Sequence, residues 1–175
     1  MPIFPYEKLI STHPPTSHDL FIALSYNKLN KVREDKYQDA KSQGYKLASF
    51  ISKDAFIARN VSIGENVLIL EDNTIQAFSK IGNNVFLWSG NHVGHHSIIR
   101  DNTFISSHVV ISGGVTIGAN CFLGVNSTIR DHITIEDENI IGAGSLILEN
   151  CSEGGLYTTT GALRSKIPSK RVRRL

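Results

Sequence analysis

Cysteine is scarce in this chain. Two are present in 175 residues, Cys121 and Cys151, too few for the disulfide frameworks that staple small secreted domains. Long apolar runs are missing too. None approaches the roughly 20 residues needed to span a bilayer, so no membrane partner is expected. The opening Met1-Pro2-Ile3-Phe4-Pro5 places no charged segment ahead of an apolar one, the order that a secretory signal needs. The cytoplasm is the expected location. Charge of one sign is also lacking: 18 Lys and Arg against 16 Asp and Glu leave +2, which gives no reason to expect a nucleic-acid partner. Only the tail Lys170-Arg171-Val172-Arg173-Arg174 is densely basic, and it reads either as a solvated end or as a contact for a ligand phosphate. Residues 1–50 carry no glycine-rich phosphate loop.

What the chain does have is a period of six. From Ile57 through Ile63, Ile69 and Ile75 to Ile147, every sixth residue is Ile, Leu or Val, for 16 positions. Neither a helix, of period 3.6, nor a simple strand, of period 2, gives this pattern. A hexad repeat is the mark of a β-solenoid in which each hexad forms one side of a coil. Three hexads make a triangular coil, so residue n stacks on residue n+18. The position four after each aliphatic residue is small or β-branched in most coils (Val61, Val67, Ser79, Val85, Ser97, Thr103). Cys121 shares that position and reads as a buried thiol. Glycine often follows the aliphatic residue directly, as at Gly64, Gly82, Gly94, Gly118, Gly124 and Gly142. Unusual backbone angles at tight corners are the expected reason.

The flanks break the pattern. Leu20-Phe21-Ile22-Ala23-Leu24 reads as a buried strand. Asn27 is placed to cap a helix running from near Lys28 to about Ser42, and Gly44 falls where a helix-ending glycine belongs. Residues 45–50 alternate like a second strand. Residues 1–50 are therefore expected to form a partial α/β cap, 51–150 the solenoid, and 151–175 a last strand near Leu156 followed by the basic tail. The fold class expected is mainly β: a hexapeptide solenoid with a small N-terminal α/β cap.

Three segments narrow the reading. They are Asn91-His92-Val93-Gly94-His95-His96, Ile111-Ser112-Gly113-Gly114-Val115-Thr116-Ile117-Gly118 and Asn120-Cys121-Phe122-Leu123-Gly124-Val125-Asn126. Together with the hexads, residues 20–150 closely resemble the hexapeptide-repeat acyltransferases. The branch they resemble acetylates nucleotide-linked amino sugars or sialic acid for bacterial surface polysaccharides. The resemblance implies a left-handed parallel β-helix and a homotrimer with active sites between neighbouring subunits. It also implies acetyl-CoA as co-substrate, a sugar or nucleotide-sugar acceptor, and no metal. Relatives open with a strand and a glycine-rich turn that hold the nucleotide, and this chain reads as starting after them. Many relatives carry an acidic residue where His96 stands, and some a histidine where Phe104 stands.

Four of the seven histidines lie between residues 92 and 108. By register, His95 sits near a coil corner and points outward, and Gly113 stacks one coil above it. Resemblance gives His95 the role of general base, His96 a supporting role, and the Gly113 N–H that of oxyanion donor. Gly113-Gly114 also reads simply as a corner. By resemblance, Asn91 and His92 face the acceptor and Val125, Gly142 and Ala143 line the thiol arm of CoA. Lys166, Lys170 or Arg171 meets its phosphates. A neutral imidazole suits proton removal from an amine or hydroxyl at neutral pH, and the same base serves N- and O-acetylation. Two other readings stay open: a non-catalytic solenoid that binds carbohydrate, and a zinc enzyme of the γ-class carbonic-anhydrase kind. The histidine separations do not match the latter's ligand spacing.

Overall fold

Hexads become strands of two residues each. In the computed structural model, which describes residues 3–164, Lys166 and Arg171, strands begin every six residues from β1 (Phe50–Ile51) to β17 (Leu146–Ile147). A last strand, β18 (Leu156–Tyr157), lies beyond them. All pairings are parallel, and through the solenoid residue n pairs with n+18, as in Phe50↔Leu68, His92↔Val110 and Thr116↔Thr134. The result is three sheets, of seven, six and five strands, wrapped around one interior. The second residue of each strand points inward. Ile69, Leu87, Ile105, Leu123 and Ile141 form one column, and Ile75, Val93, Ile111, Ile129 and Ile147 another, all buried.

The residues four after these aliphatics also point inward. Val67, Val85, Val109, Val115 and Cys121 join the core. Three polar members spend their side chains on backbone carbonyls fifteen residues on: Ser79 Oγ donates to Gly94 O (2.9 Å), Ser97 Oγ to Ser112 O (2.9 Å) and Thr103 Oγ1 to Gly118 O (2.8 Å), whereas the buried Ser127 hydroxyl finds no partner among the described residues. A buried hydroxyl without such a partner would cost stability.

The corners correct one expectation. Left-handed backbone recurs every six residues from Asn66 to Gly144, three residues after each inward aliphatic, and mostly on Asn, Asp, His or Gly. The glycines directly after the aliphatics do not adopt it. Their reason is proximity between coils: a Cβ on Gly94 would stand 2.5 Å from Gly113 N, and one on Gly118 2.5 Å from Asp137 N. No side chain fits between backbones that close.

The N-terminal segment differs more from expectation. Residues 20–24 form no strand beyond a single parallel bridge, Leu20↔Leu47. They lie across the outer face of the seven-stranded sheet instead. Phe21 stacks on Phe86 (5.8 Å), and Tyr26 meets Phe104 (5.0 Å) and Phe122 (4.8 Å). The Ile22 N–H donates to Asn66 Oδ1 (2.8 Å), taking the place of a strand partner. Two helices precede the solenoid, α1 (Leu9–Thr12) and α2 (Lys31–Ser42). Helix α2 starts later than Lys28 because Lys28, Leu29 and Asn30 are all left-handed. Asn27 is not the cap. Gly44, with φ of 88°, ends the segment as expected. Residues 45–50 alternate in burial, with Tyr45 and Leu47 inside, but Phe50 already belongs to the first coil.

Candidate functional site

The edge of the prism that follows the six-stranded sheet carries the histidine cluster. His92 is the outward residue of β8 (His92–Val93) and is half-buried on the face of that sheet. Two residues past Val93 the chain turns, and His95 and His96 stand exposed at the corner. His96 holds the left-handed position, with φ of 59°. Its N–H donates to Ala77 O (3.0 Å) one coil back, and the His95 N–H donates to Gln76 Oε1 (3.0 Å). The His95 carbonyl accepts from Gly114 N–H (2.8 Å) one coil on. The corner is thus fixed by backbone from three successive coils.

The rings are fixed as well. His95 Nδ1 and His96 Nδ1 lie 3.1 Å apart, with the two ring planes 86° to each other. The His96 ring stacks on Phe78 at 4.8 Å. Gly113 lies against the other side of the His95 ring: a Cβ there would stand 2.8 Å from His95 Nε2 and 2.7 Å from Cε1. At the equivalent corner positions of other coils, a side chain takes up the N–H: Asn83 Oδ1 accepts from Glu65 (3.1 Å), Asp101 Oδ1 from Asn83 (2.7 Å) and Asp137 Oδ1 from Ala119 (2.8 Å). Among the described residues the Gly113 N–H has no such acceptor. An imidazole nitrogen therefore sits beside a residue whose N–H is uncommitted among the described residues, an arrangement that can pair a base with a donor for developing negative charge.

The remaining residues singled out from sequence fall elsewhere. Asn91 is 1% exposed, its amide donating to Trp88 O (2.5 Å) and its oxygen accepting from Val109 N–H (2.8 Å). It belongs to the interior hydrogen bonding and not to the surface around His95. Val125 and Ala143 are exposed and lie one coil apart on a different prism edge from His95, the one that follows the seven-stranded sheet, with Gly142 beside them. Lys166 is exposed past the last strand, Arg171 is a single described residue, and Lys170 lies outside the described residues. His108 and His132 take left-handed corner positions like that of His96.

Two groups escaped the sequence reading. Gln76 and Phe78 hold the histidine corner from the coil beneath; the eighteen-residue register run backwards from His96 points to Phe78, while Gln76 lies one residue off the register partner of His95. On the sheet that follows the corner, Lys80, Ile98, Arg100 and Asp101 border a shallow groove of about 360 Å³. Arg100 pairs there with Asp137 at 3.6 Å. Among the described residues no three His, Cys, Asp or Glu side chains converge as metal ligands, and no helix is long and apolar enough to cross a membrane.

Comparison with known proteins places this geometry. Residues 78–113 and 114–149 match the family described as bacterial transferase hexapeptide (six repeats). No curated protein matches the sequence. Among solved structures, PerB from Caulobacter crescentus, in complex with CoA and GDP-perosamine, is similar over 86% of this chain and 72% of its own, with 25% identity and a TM-score of 0.81. The acetyltransferase domain of PglB from Neisseria gonorrhoeae, in complex with acetyl coenzyme A, is similar over 89% of this chain and 74% of its own, with 23% identity and a TM-score of 0.83. WeeI from Acinetobacter baumannii superposes over 73% of this chain with 20% identity and a TM-score of 0.70. The coils that carry the His95 corner, residues 78–149, are thus the part of the chain that matches the bacterial transferase hexapeptide repeat.

Proposed function

We propose that this protein is an acetyltransferase that moves the acetyl group of acetyl-CoA to a sugar, with a nucleotide-linked amino sugar as the favoured acceptor and His95 as general base. The observation that carries the reading is the pairing of His95 Nε2 with Gly113, whose N–H has no acceptor among the described residues. The hexapeptide-repeat match over residues 78–149 and the CoA-bound and GDP-perosamine-bound neighbours support the same chemistry. The acceptor's amine or hydroxyl gives its proton to His95 Nε2 as it attacks the thioester carbonyl. The carbonyl oxygen becomes an oxyanion against the Gly113 N–H. The C–S bond then breaks, and the CoA thiolate takes the proton back from the imidazolium.

Val125 and Ala143 stand on another edge of the same prism. If they line the thiol arm of CoA, they reach the His95 corner from a neighbouring protomer, which favours a homotrimer with shared sites. Lys80 and Arg100 add cationic side chains suited to phosphate along the adjoining sheet. The role fits a cytoplasmic step in making bacterial surface polysaccharide.

A CoA-release screen across nucleotide-linked amino sugars and free sugars tests the activity. His95→Ala is expected to lose about 10²–10⁴-fold in turnover while keeping its circular dichroism and its thermal shift with acetyl-CoA. Near-parental turnover in that variant removes His95 from the mechanism. A parent protein with neither turnover nor a thermal shift is a scaffold instead.

A further inference from the structure

We infer that His96 is a positioning residue: its unprotonated Nδ1 accepts the Nδ1–H of His95 and so fixes the tautomer that leaves His95 Nε2 free to take a proton. The inference rests on the role of His95 proposed above. Two neutral imidazoles that face each other through Nδ1 at 3.1 Å form a hydrogen bond only if one nitrogen carries the proton and the other does not. His95 Nε2 lies beside Gly113, at the place where a proton must be accepted. The proton on His95 therefore sits on Nδ1, and that of His96 on Nε2.

The His96 ring is held for this task. Its left-handed backbone is pinned by the bond to Ala77 O, and its face stacks on Phe78. Phe78 is itself unusual. It is the one hydrophobic residue among the left-handed corners from Asn66 to Gly144 and is 56% exposed. A bulky residue with positive φ is a steric outlier, and the Phe78 ring stacks on His96. The other two corner histidines lack the arrangement, since Ser107 precedes His108 and Asp131 precedes His132.

Among the described residues no carboxylate hydrogen-bonds to the pair. The groups packed against it, Gln76, Phe78, Gly113 and Gly114, carry no charge. The titratable side chains along the same edge are Arg59 two coils back, His92 on the preceding strand, and Asp131 and His132 one coil beyond Gly113. Asp131 lies 4.0 Å from His132. The acceptor for His95 is thus a neutral ring. It orients the base without adding a fixed negative charge, which would favour the imidazolium and move the onset of activity to higher pH.

The corner itself supplies the test. Asn, Asp and Gly all occupy this left-handed position in other coils, at Asn102, Asp72 and Gly114, so each is tolerated at 96. Asn and Asp place an oxygen where His96 Nδ1 stands, and Gly places nothing. His96→Gly is expected to lower kcat about 10–100-fold with the KM for acetyl-CoA retained. His96→Asn restores most of that loss. His96→Asp is active, with the acid limb of kcat/KM displaced upward by about one pH unit. Parental kcat in His96→Gly, no rescue by Asn, or an unmoved acid limb in His96→Asp each overturns the assignment. Long-range ¹⁵N NMR of the histidine rings judges it without turnover. His95 should be the Nδ1–H tautomer in the parent and lose that bias in His96→Gly. An Nε2–H tautomer in the parent defeats the inference even where acetyl transfer stands. Absent acetyl transfer with an Nδ1–H tautomer defeats the enzyme reading and leaves the pairing intact.

Discussion

Gly94 and Gly113 touch each other across adjacent coils, yet replacing them meets different obstacles. A Cβ on Gly94 runs into backbone, 2.5 Å from Gly113 N and from Ser112 C. Neither atom can move without separating the coils. The three atoms nearest a Cβ on Gly113 all belong to the His95 ring, with Cε1 at 2.7 Å, and a ring on an exposed corner can turn away. Gly94→Ala is therefore a stability variant, expected to cost about 1–3 kcal/mol as overpacking does, read as a lowered melting temperature. Gly113→Ala is a site variant. Its melting temperature should stay within a few degrees of the parent, while turnover falls at least about 100-fold as Nε2 leaves its place. Equal melting losses in the two variants would show that Gly113 is only a corner. The pairing of His95 with Gly113 was legible in the sequence, because an eighteen-residue register is a counting rule. The contact between the two imidazoles was not, because it depends on side-chain rotation, and periodicity carries no information about that.

Helix α2 shows where sequence patterning runs out. Its buried residues are Arg33, Tyr37 and Ala40, and Arg33 reads as an exposed residue in any apolar-face argument. Yet its side chain is fully buried and all five guanidinium N–H groups find oxygen. Nε donates to Asn84 Oδ1 (3.2 Å), Nη1 to Ser25 O and Asn30 Oδ1, and Nη2 to Asn84 O and Asn102 O (2.7 Å). The guanidinium also lies over Phe86 at 4.4 Å. Burial without a carboxylate partner pulls its pKa down to about 10. Two of the three carbonyls that hold it, those of Asn84 and Asn102, belong to corners 51 and 69 residues away in sequence, so no local pattern announces them. The same docking explains the late helix start, since Asn30 Nδ2 donates to Cys121 O (3.0 Å) and Asn30 takes a left-handed conformation. Arg33→Met keeps bulk but leaves those acceptors unpaired, at a cost of about 1–3 kcal/mol or more. Amide exchange in α2 should quicken markedly while the inner strands stay protected. Unchanged protection of α2 would mean that the aromatic contacts of Phe21 and Tyr26 suffice to hold it.

Across the whole molecule, the stacked columns create an interior where charge is excluded, and this links stability to pH. Cys121 occupies one inward position, fully buried, its thiol donating to Glu136 O (3.2 Å). Burial pushes that thiol from 9.0 up to about 12. The sign follows from proton counting. Between pH 9 and 12 the folded protein keeps a proton that the unfolded chain has lost, so stability falls as pH rises through that window. Tyr6 and Tyr37, both pushed to about 12 from 10.0, act in the same direction only above pH 10. Arg33 opposes them there, because above about pH 10 the folded state sheds a proton that the unfolded chain retains. The interval from pH 9 to 10 is therefore governed mainly by Cys121, with Cys151 raised by burial as well. Chemical denaturation should show stability falling with a slope that approaches about 1.4 kcal/mol per pH unit for one proton. Valine fills this repeat position at Val67, Val85, Val109 and Val115, so Cys121→Val fits the column. It should fold, match or exceed the parent at pH 7, and show a much flatter profile between pH 9 and 10. An unchanged slope would place the alkaline sensitivity outside the solenoid interior. The hexads made that interior readable, since Cys121 was recognisable as an inward residue from its place in the repeat. The covering of one sheet by residues 20–26 was not, because it is decided by three phenylalanines on an outer face whose positions the period leaves free.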